Sequence, residues 1–491
     1  MGFFTKKTIA SLINESEQQG EGALKKSLTA YGLVALGVGA IIGAGLFSLT
    51  GIAAAENAGP AVTISFIVAA IGCAFAGLCY AEFAAMIPVA GSAYTYSYAT
   101  MGEFIAWIIG WDLVLEYALA SATVAVSWSQ YFNELLKVFN LEIPIEFLKG
   151  PLEGGIVNIP AIIIVCLLSL LLMRGTQESA RINNILVVLK VAVVLIFIAL
   201  GWSFIDSANY DPFIPVNAGE ELVKSGQIGL FEFLKSDDFG TYGISGIMRA
   251  AGIVFFAFIG FDAVSTAAQE AKNPKRDMPI GIIGSLIVCT ILYVLFAYVM
   301  TGLENYLIFK NDAKPVATAF AKTGYHFLNT ALIITIIAGY TSVILVMLLG
   351  QSRVFYSMSK DGLIPKLFSD LSKRQTPWKT NAIFMVFVSA FAGFVPVSDL
   401  GHMVSIGTLF AFTLVCIGIL VLRKTEPNIE RPFKTPLVPF VPIMGIIVCV
   451  VMMASLPGES WERLAIWLLI GVVIYLLYGR KHSKLNNAPK V

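Results

Sequence analysis

Four glycines, Gly37, Gly39, Gly43 and Gly45, fall within nine residues of one apolar run that reads GVGAIIGAGLF from Gly37 to Phe47. Glycine costs a helix about 1 kcal/mol relative to alanine, so this bunching invites unwinding. A half-helix restarting after Gly43 would direct free N–H groups and a positive dipole end at whatever binds there, which suits a carboxylate. A second run, GIVFFAFIGFDAVS from Gly252 to Ser265, is interrupted at Gly260. Helices ending near Ile41 and across Phe256–Ile259 would leave carbonyls without partners. Those suit an ammonium group, and a site offering both matches an α-amino acid. The spacing Gly39-xxx-Gly43 also serves close helix packing. The residue pattern alone leaves both readings open.

Ionisable side chains inside apolar runs are the other chemical candidates. Lys190 lies within LVVLKVAVVL, about seven residues or roughly 10 Å inside its segment at 1.5 Å per residue. Its stem reaches far enough to snorkel to the interface. Alternatively its ammonium stands where a sodium ion would bind, and burial lets it lose and regain a proton. Asp112 and Glu116 sit one turn apart on a single helix face, where they either line a side-chain pocket favouring cations or are held in structural pairs. Asp262 directly follows the second break and suits a helix cap. Phe256 and Phe258 flank the expected ammonium carbonyls, as a lid or as packing. Thr341 and Ser342 are candidates to face Lys190. Glu82, Glu270 and Arg353 fall near helix ends, and Arg249 reads as an interface anchor.

The elements that must position these groups are apolar helices. Of 491 residues, 57% are hydrophobic and 13% charged, against about 45–50% and 25% in soluble proteins. A bilayer core needs roughly 20 apolar residues per helix. Twelve segments qualify, at 31–57, 60–87, 103–135, 158–174, 183–204, 246–271, 279–303, 327–357, 380–396, 402–423, 439–457 and 461–479. They are apolar on all sides, as in Ile162–Met173, and lack the alternation of barrel strands. With both termini on one side, that side carries 23 of the 33 Lys and Arg and the other nine, with Lys190 left inside a span. The excess predicts cytoplasmic termini. The first 30 residues are too polar for a signal peptide.

The two glycine-rich runs open segments 1 and 6, and interrupted helices in corresponding places point to inverted repeats of a transporter. The stretch GAIIGAGLF resembles the first-helix signature of the amino acid–polyamine–organocation superfamily. Within it, the chain resembles bacterial members of the cationic amino acid transporter family. Supporting stretches are GWDLVLEYALASATVAVSWS from Gly110, ESARINNILVVLK from Glu178, FFAFIGFDAVSTAAQEAKNPKRDMPIGI from Phe255 and GQSRVFYSMSKDGLIP from Gly350. The resemblance covers about residues 28 to 425, followed by two further helices. It implies an all-α polytopic membrane protein with an inverted five-plus-five helix core and sodium-independent amino acid transport. By position it assigns the substrate carboxylate to the amides of Ala44, Gly45 and Leu46. It assigns the ammonium to the carbonyls of Ile41, Phe256, Ala257 and Ile259. Proton-coupled bacterial members have a lysine at the position of Lys190.

The expected organisation is a cytoplasmic tail (1–30), a first repeat (31–204), an extracellular loop (205–245), a second repeat (246–424), helices 11 and 12 (425–479) and a second tail (480–491). The expected function is a proton-coupled permease of the cytoplasmic membrane, with an L-amino acid, protons and the lipid bilayer as partners and no cofactor. An obligate amino acid or amine exchanger and a transporter-like sensor are the alternatives. Near-neutral net charge argues against nucleic acid. Six scattered cysteines without CxxC and three histidines argue against zinc, haem or a disulfide framework. No nucleophile elbow, P-loop or His–carboxylate cluster suggests an enzyme. Substrate choice between small neutral and cationic amino acids stays open, with the phenylalanines and methionines of segments 6 and 8 favouring the former.

Overall fold

In the computed structural model the described residues are 5–8, 12, 28–87, 92–175, 180–227, 229–236, 238–266, 268, 271–310, 312–372 and 376–487. Among them the fold is all helical, with one isolated bridge between Leu28 and Ala271. The principal helices are α1 (Ala30–Ile41), α2 (Val62–Met86), α3 (Ser92–Thr100), α4 (Glu103–Val138), α5 (Ile159–Met173), α6 (Ala180–Gly201), α7 (Gly243–Val254), α8 (Phe261–Thr266), α9 (Pro274–Leu303), α10 (His326–Lys360), α11 (Trp378–Phe394), α12 (Val397–Thr425), α13 (Phe440–Ser455) and α14 (Gly458–Ile474). Every expected apolar segment is helical, with the first and sixth each in two pieces. Among the described residues, seven helices are long and apolar enough to cross a membrane, and five shorter apolar helices accompany them. Ile163, Leu167, Val188, Leu195, Leu469 and Leu477 are exposed on the outer faces of α5, α6 and α14 and the turn that follows it. A belt of this kind belongs against lipid tails. The protein is a polytopic integral membrane protein.

Local signals explain several helix starts. The Thr29 hydroxyl accepts from the Gly32 amide at the start of α1, and Asn158 accepts from Ala161 at the start of α5. Pro160 and Pro274 occupy first-turn positions, where no amide donor is needed. Gly102 turns the chain into α4 with φ +96°, a conformation that favours glycine. The helix α3 before it was not anticipated. Its tyrosines alternate along SAYTYSYAT, a pattern that gives no helical stripe, yet the whole segment is buried against α4 and α12. Tertiary packing sets its conformation.

The longest helices, α4 and α10, lie along one another, while α9 packs against both α1 and α2, and α11 against α5. The loop at 205–245 folds back over the end of the first segment. There Asn57 donates to the Gly240 carbonyl at 2.7 Å, and Tyr242 donates to the Ala55 carbonyl at 2.7 Å. A reciprocal pair ties α14 to α4, with Trp111 and Trp467 each donating an indole N–H to the other's carbonyl, at 2.9 and 3.1 Å.

Glu82 on α2 is fully buried. It accepts both guanidinium N–H groups of Arg423 on α12, at 3.0 and 2.8 Å, and the Thr435 amide at 2.7 Å. Arg431 adds a buried ion pair at 3.3 Å. Removing one member of such a network leaves charge uncompensated, at a cost of about 3–5 kcal/mol. Glu82→Gln should therefore lower the thermal unfolding midpoint of the purified protein markedly, and an unchanged midpoint would show that the network adds no stability.

Candidate functional site

The first break lies between Ile41 and Gly45. Helix α1 ends at Ile41, and Ile42 turns extended with ψ 106° while its amide still reaches the Val38 carbonyl at 3.0 Å. The chain resumes as a loosely wound π-turn, Gly45–Leu49, closed by the Thr50 hydroxyl on the Gly45 carbonyl. Leu46 and Phe47 donate back to the Gly43 carbonyl at 3.2 and 3.1 Å. The amides of Ala44 and Gly45 stand in the first turn, where a restarted helix has no carbonyl to offer them. In the second break α7 ends at Val254 and passes through a 3-10 turn, Phe255–Phe258. Ile259 is extended, and Gly260 has φ +119° before α8 begins.

The two breaks touch. A Cβ on Gly45 would fall 2.2 Å from the Ala257 Cα and 2.5 Å from its amide nitrogen. One on Gly260 would fall 2.8 Å from the Ala40 carbonyl oxygen. The glycines of segment 1 thus divide between the two readings. Gly37 is pressed against Ser285 and Gly39 against Val187, which is helix packing. Gly45 brings backbone onto backbone at the breaks, whereas Gly43 meets only ordinary contacts, the nearest being Val343 at 3.5 Å.

The carbonyls of Ile41 and Ala257 converge on a residue the sequence reading missed. The hydroxyl of Tyr293 on α9 lies 2.9 Å from each. A hydroxyl has one proton to give, so it satisfies one carbonyl at a time and leaves the other able to take a further donor. Tyr293 is fully buried, and its ring meets Phe66 and Phe258. Phe258 therefore faces this aromatic cluster. The Phe256 carbonyl accepts from Ile259 at 3.2 Å. A polar atom midway along segment 7 was the available signal.

Lys190 is buried at 2% exposure, and its ammonium donates to the Gly39 carbonyl at 2.9 Å. Gly39 lies in the last turn of α1, where carbonyls lack helical partners and the dipole favours a cation. A Cβ on Gly339 of α10 would touch the lysine stem, at 2.8 Å from Cε. Thr341 and Ser342 direct their hydroxyls to the Ile337 and Gly339 carbonyls of their own helix.

Asp112 and Glu116 are buried on α4, and no described donor reaches their carboxylate oxygens. Asp262 stands in the first turn of α8. It accepts from Tyr117 at 2.7 Å, from the Gly260 amide at 3.3 Å and from Ser92 at 3.5 Å. Arg249 donates to the Ser455 carbonyl at 2.9 Å. Glu270 lies outside the described residues. Two hydroxyl contacts brace the restarted half of segment 1, Tyr131 on the Phe47 carbonyl at 2.7 Å and Ser48 on Tyr340 at 2.8 Å.

Space at the breaks gives a direct expectation. Gly45→Ala should eliminate substrate-induced thermal stabilisation, because its methyl would displace the Ala257 backbone, while Gly43→Ala should retain it. Equal behaviour of the two variants would show that contact between the breaks does not shape the site.

Comparison with known proteins shows the family. The family model for amino acid permeases matches residues 28–475. The chain is 44% identical to the branched-chain amino acid permease BcaP of Bacillus subtilis, over 98% of this chain and 99% of the relative. It is 40% identical to the methylthioribose transporter of the same organism, with the same coverage. It is 30% identical to the vacuolar cationic amino acid transporter 4 of Arabidopsis thaliana, over 97% and 95%. Two touching helix breaks in a polytopic bundle, matched over nearly the whole length, place the chain in the amino acid permease family.

Proposed function

We propose that the protein carries a neutral L-amino acid across the cytoplasmic membrane by alternating access, without sodium and coupled to protons through Lys190. The observation that carries this reading is the contact between the breaks. It sets the open amides of Ala44 and Gly45 beside the carbonyls of Ile41 and Ala257, and both carbonyls already converge on one hydrogen-bond donor. The carboxylate then sits on Ala44, Gly45 and Leu46, once the Leu46 amide leaves Gly43. The ammonium sits among Ile41, Phe256, Ala257 and Ile259. Phe258 contributes to the pocket through the ring of Tyr293.

Twelve spans arranged as inverted five-helix repeats fit the pairing of elements five apart. Segment 1 meets segment 6 at the breaks, α2 packs on α9, α4 on α10 and α5 on α11. In this arrangement 31–204 and 246–424 are the repeats, 205–245 is extracellular, 425–479 holds the last two spans, and the tails 1–30 and 480–491 are cytoplasmic. The excess of Lys and Arg on that side supports the orientation. Lys190 bridges the two repeats from α6 to α1 and α10. Loss of its proton would release the Gly39 carbonyl and loosen α1, which ties protonation to the break that holds substrate.

The relatives' names favour different cargo. The branched-chain permease supports a neutral amino acid, and the 40% identical methylthioribose transporter supports a second reading in which an uncharged thioether sugar is carried. A thermal-shift screen of the twenty amino acids and methylthioribose separates them. In proteoliposomes, Lys190→Ala should abolish uptake driven by a pH gradient while ligand binding persists. Undiminished proton coupling in that variant would rule out the role of Lys190, and uptake confined to amino-acid-loaded vesicles would instead identify an exchanger.

A further inference from the structure

Three carboxylates are buried close to the second break, and their surroundings differ sharply. Asp262 receives three donors, from Tyr117, Ser92 and the Gly260 amide. Glu116 and Asp112, 2% and 0% exposed, receive none from the described residues on any of their four oxygens. The neighbour that could have helped Glu116 is turned the wrong way. Thr408 of α12 lies beside it, but its hydroxyl donates to the Val404 carbonyl at 2.9 Å and so presents lone pairs. Lone pairs repel a carboxylate and accept from a carboxylic acid. The titratable groups acting on Glu116 are two further acids, Asp262 across the break and Asp112 on its own helix. Tyr80 of α2, fully buried with no hydrogen-bond partner for its hydroxyl among the described residues, stands within the field of both Glu116 and Asp262. Tyr96 of α3 has a second such hydroxyl beside Asp262.

We propose that Glu116 is a neutral carboxylic acid in this conformation and that Glu116 and Asp262 form a second proton site, separate from Lys190. An ion without donors in a medium of low polarity is strongly disfavoured, and the group neutralises instead. Two acids held in contrasting environments divide the roles. Asp262, well supplied with donors, is the anion, and Glu116 holds the proton. Movement of that proton from Glu116 to Asp262 conserves both charge and proton count, and Tyr80 stands in the field of both ends. A neutral Glu116 also offers no attraction to a cationic side chain, in keeping with a neutral substrate. This inference rests on the transport reading above, yet its test does not depend on Lys190.

Infrared spectra of the purified full-length protein in liposomes test it. At neutral pH the native protein should show a carboxylic-acid C=O band that shifts in D2O. Glu116→Gln should remove a component of that band, and Asp112→Asn should leave that component in place. Because the amide imitates the neutral acid, Glu116→Gln should also keep the native unfolding midpoint, with the pH dependence of uptake reduced. A band unchanged in Glu116→Gln, or a variant that fails to fold, would overturn the proposal. So would loss of the band on adding sodium or potassium at constant pH, which would indicate a metal cation between the carboxylates. If Lys190→Ala leaves coupling intact while the Glu116 component is present, the reading of Lys190 fails and this one stands. If the component is missing while Lys190→Ala uncouples transport, the reverse holds.

Discussion

The structure depends on one constraint, that a backbone polar group buried in lipid must find a partner inside the protein. An unbroken helix meets it automatically, and two broken ones do not. At the breaks, amides and carbonyls are released in the middle of an apolar bundle. The contact of Gly45 with Ala257 gathers these groups in one place rather than leaving two separate defects. In the reading proposed above, the opposite partial charges gathered there suit the two ends of a zwitterion. Tyr293, shared between Ile41 and Ala257, holds the carbonyl side together with a single proton. The bound substrate, in this account, completes the hydrogen bonding that the fold leaves unfinished.

The buried charges follow from the same geometry. Lys190 is tolerable at depth because the last turn of α1 supplies a carbonyl with no helical partner. Asp262 is tolerable because the turn at Gly260 offers an amide and Tyr117 a hydroxyl. Both therefore report on the breaks, one on each side of them. Away from the breaks, charge does structural work. The Glu82 network clamps α2 to α12 and to the chain that leads into α13. The half-helix after Gly45 differs from these fixed elements. Its π-turns at Gly45–Leu49 and Ala54–Ala58 are wide, and contacts with Tyr131, Tyr340, Tyr242, the Ala313 carbonyl and the Gly240 carbonyl tie it to its surroundings.

Much of this was legible in the sequence because lipid imposes simple rules. Apolar runs of spanning length became helices, and Gly43, Gly45 and Gly260 fell at real interruptions. Lys190 stood out because it places a charge inside the apolar run LVVLKVAVVL. What stayed hidden was direction. Tyr293 lies in an apolar run like many other tyrosines, and only the facing of α9 reveals that its hydroxyl reaches both breaks. The four glycines could not be divided between packing and site until Ser285, Val187 and Ala257 were known as their neighbours. Phe258 flanks the expected carbonyls in sequence yet turns its ring toward Phe66 and Tyr293. Helix α3 was invisible because burial, not periodicity, holds it.

The central claim is that main-chain groups at the two breaks grip the α-carboxylate and the α-ammonium together. Competition by modified ligands measures this most directly. Binding of a radiolabelled substrate amino acid to the purified protein would be challenged with its carboxamide and with its N-acetyl derivative, which keep the side chain and each lose one charged end. The account predicts that neither competes, because each leaves one set of backbone groups without its partner. Competition by either derivative as strong as that of the unmodified amino acid would contradict it.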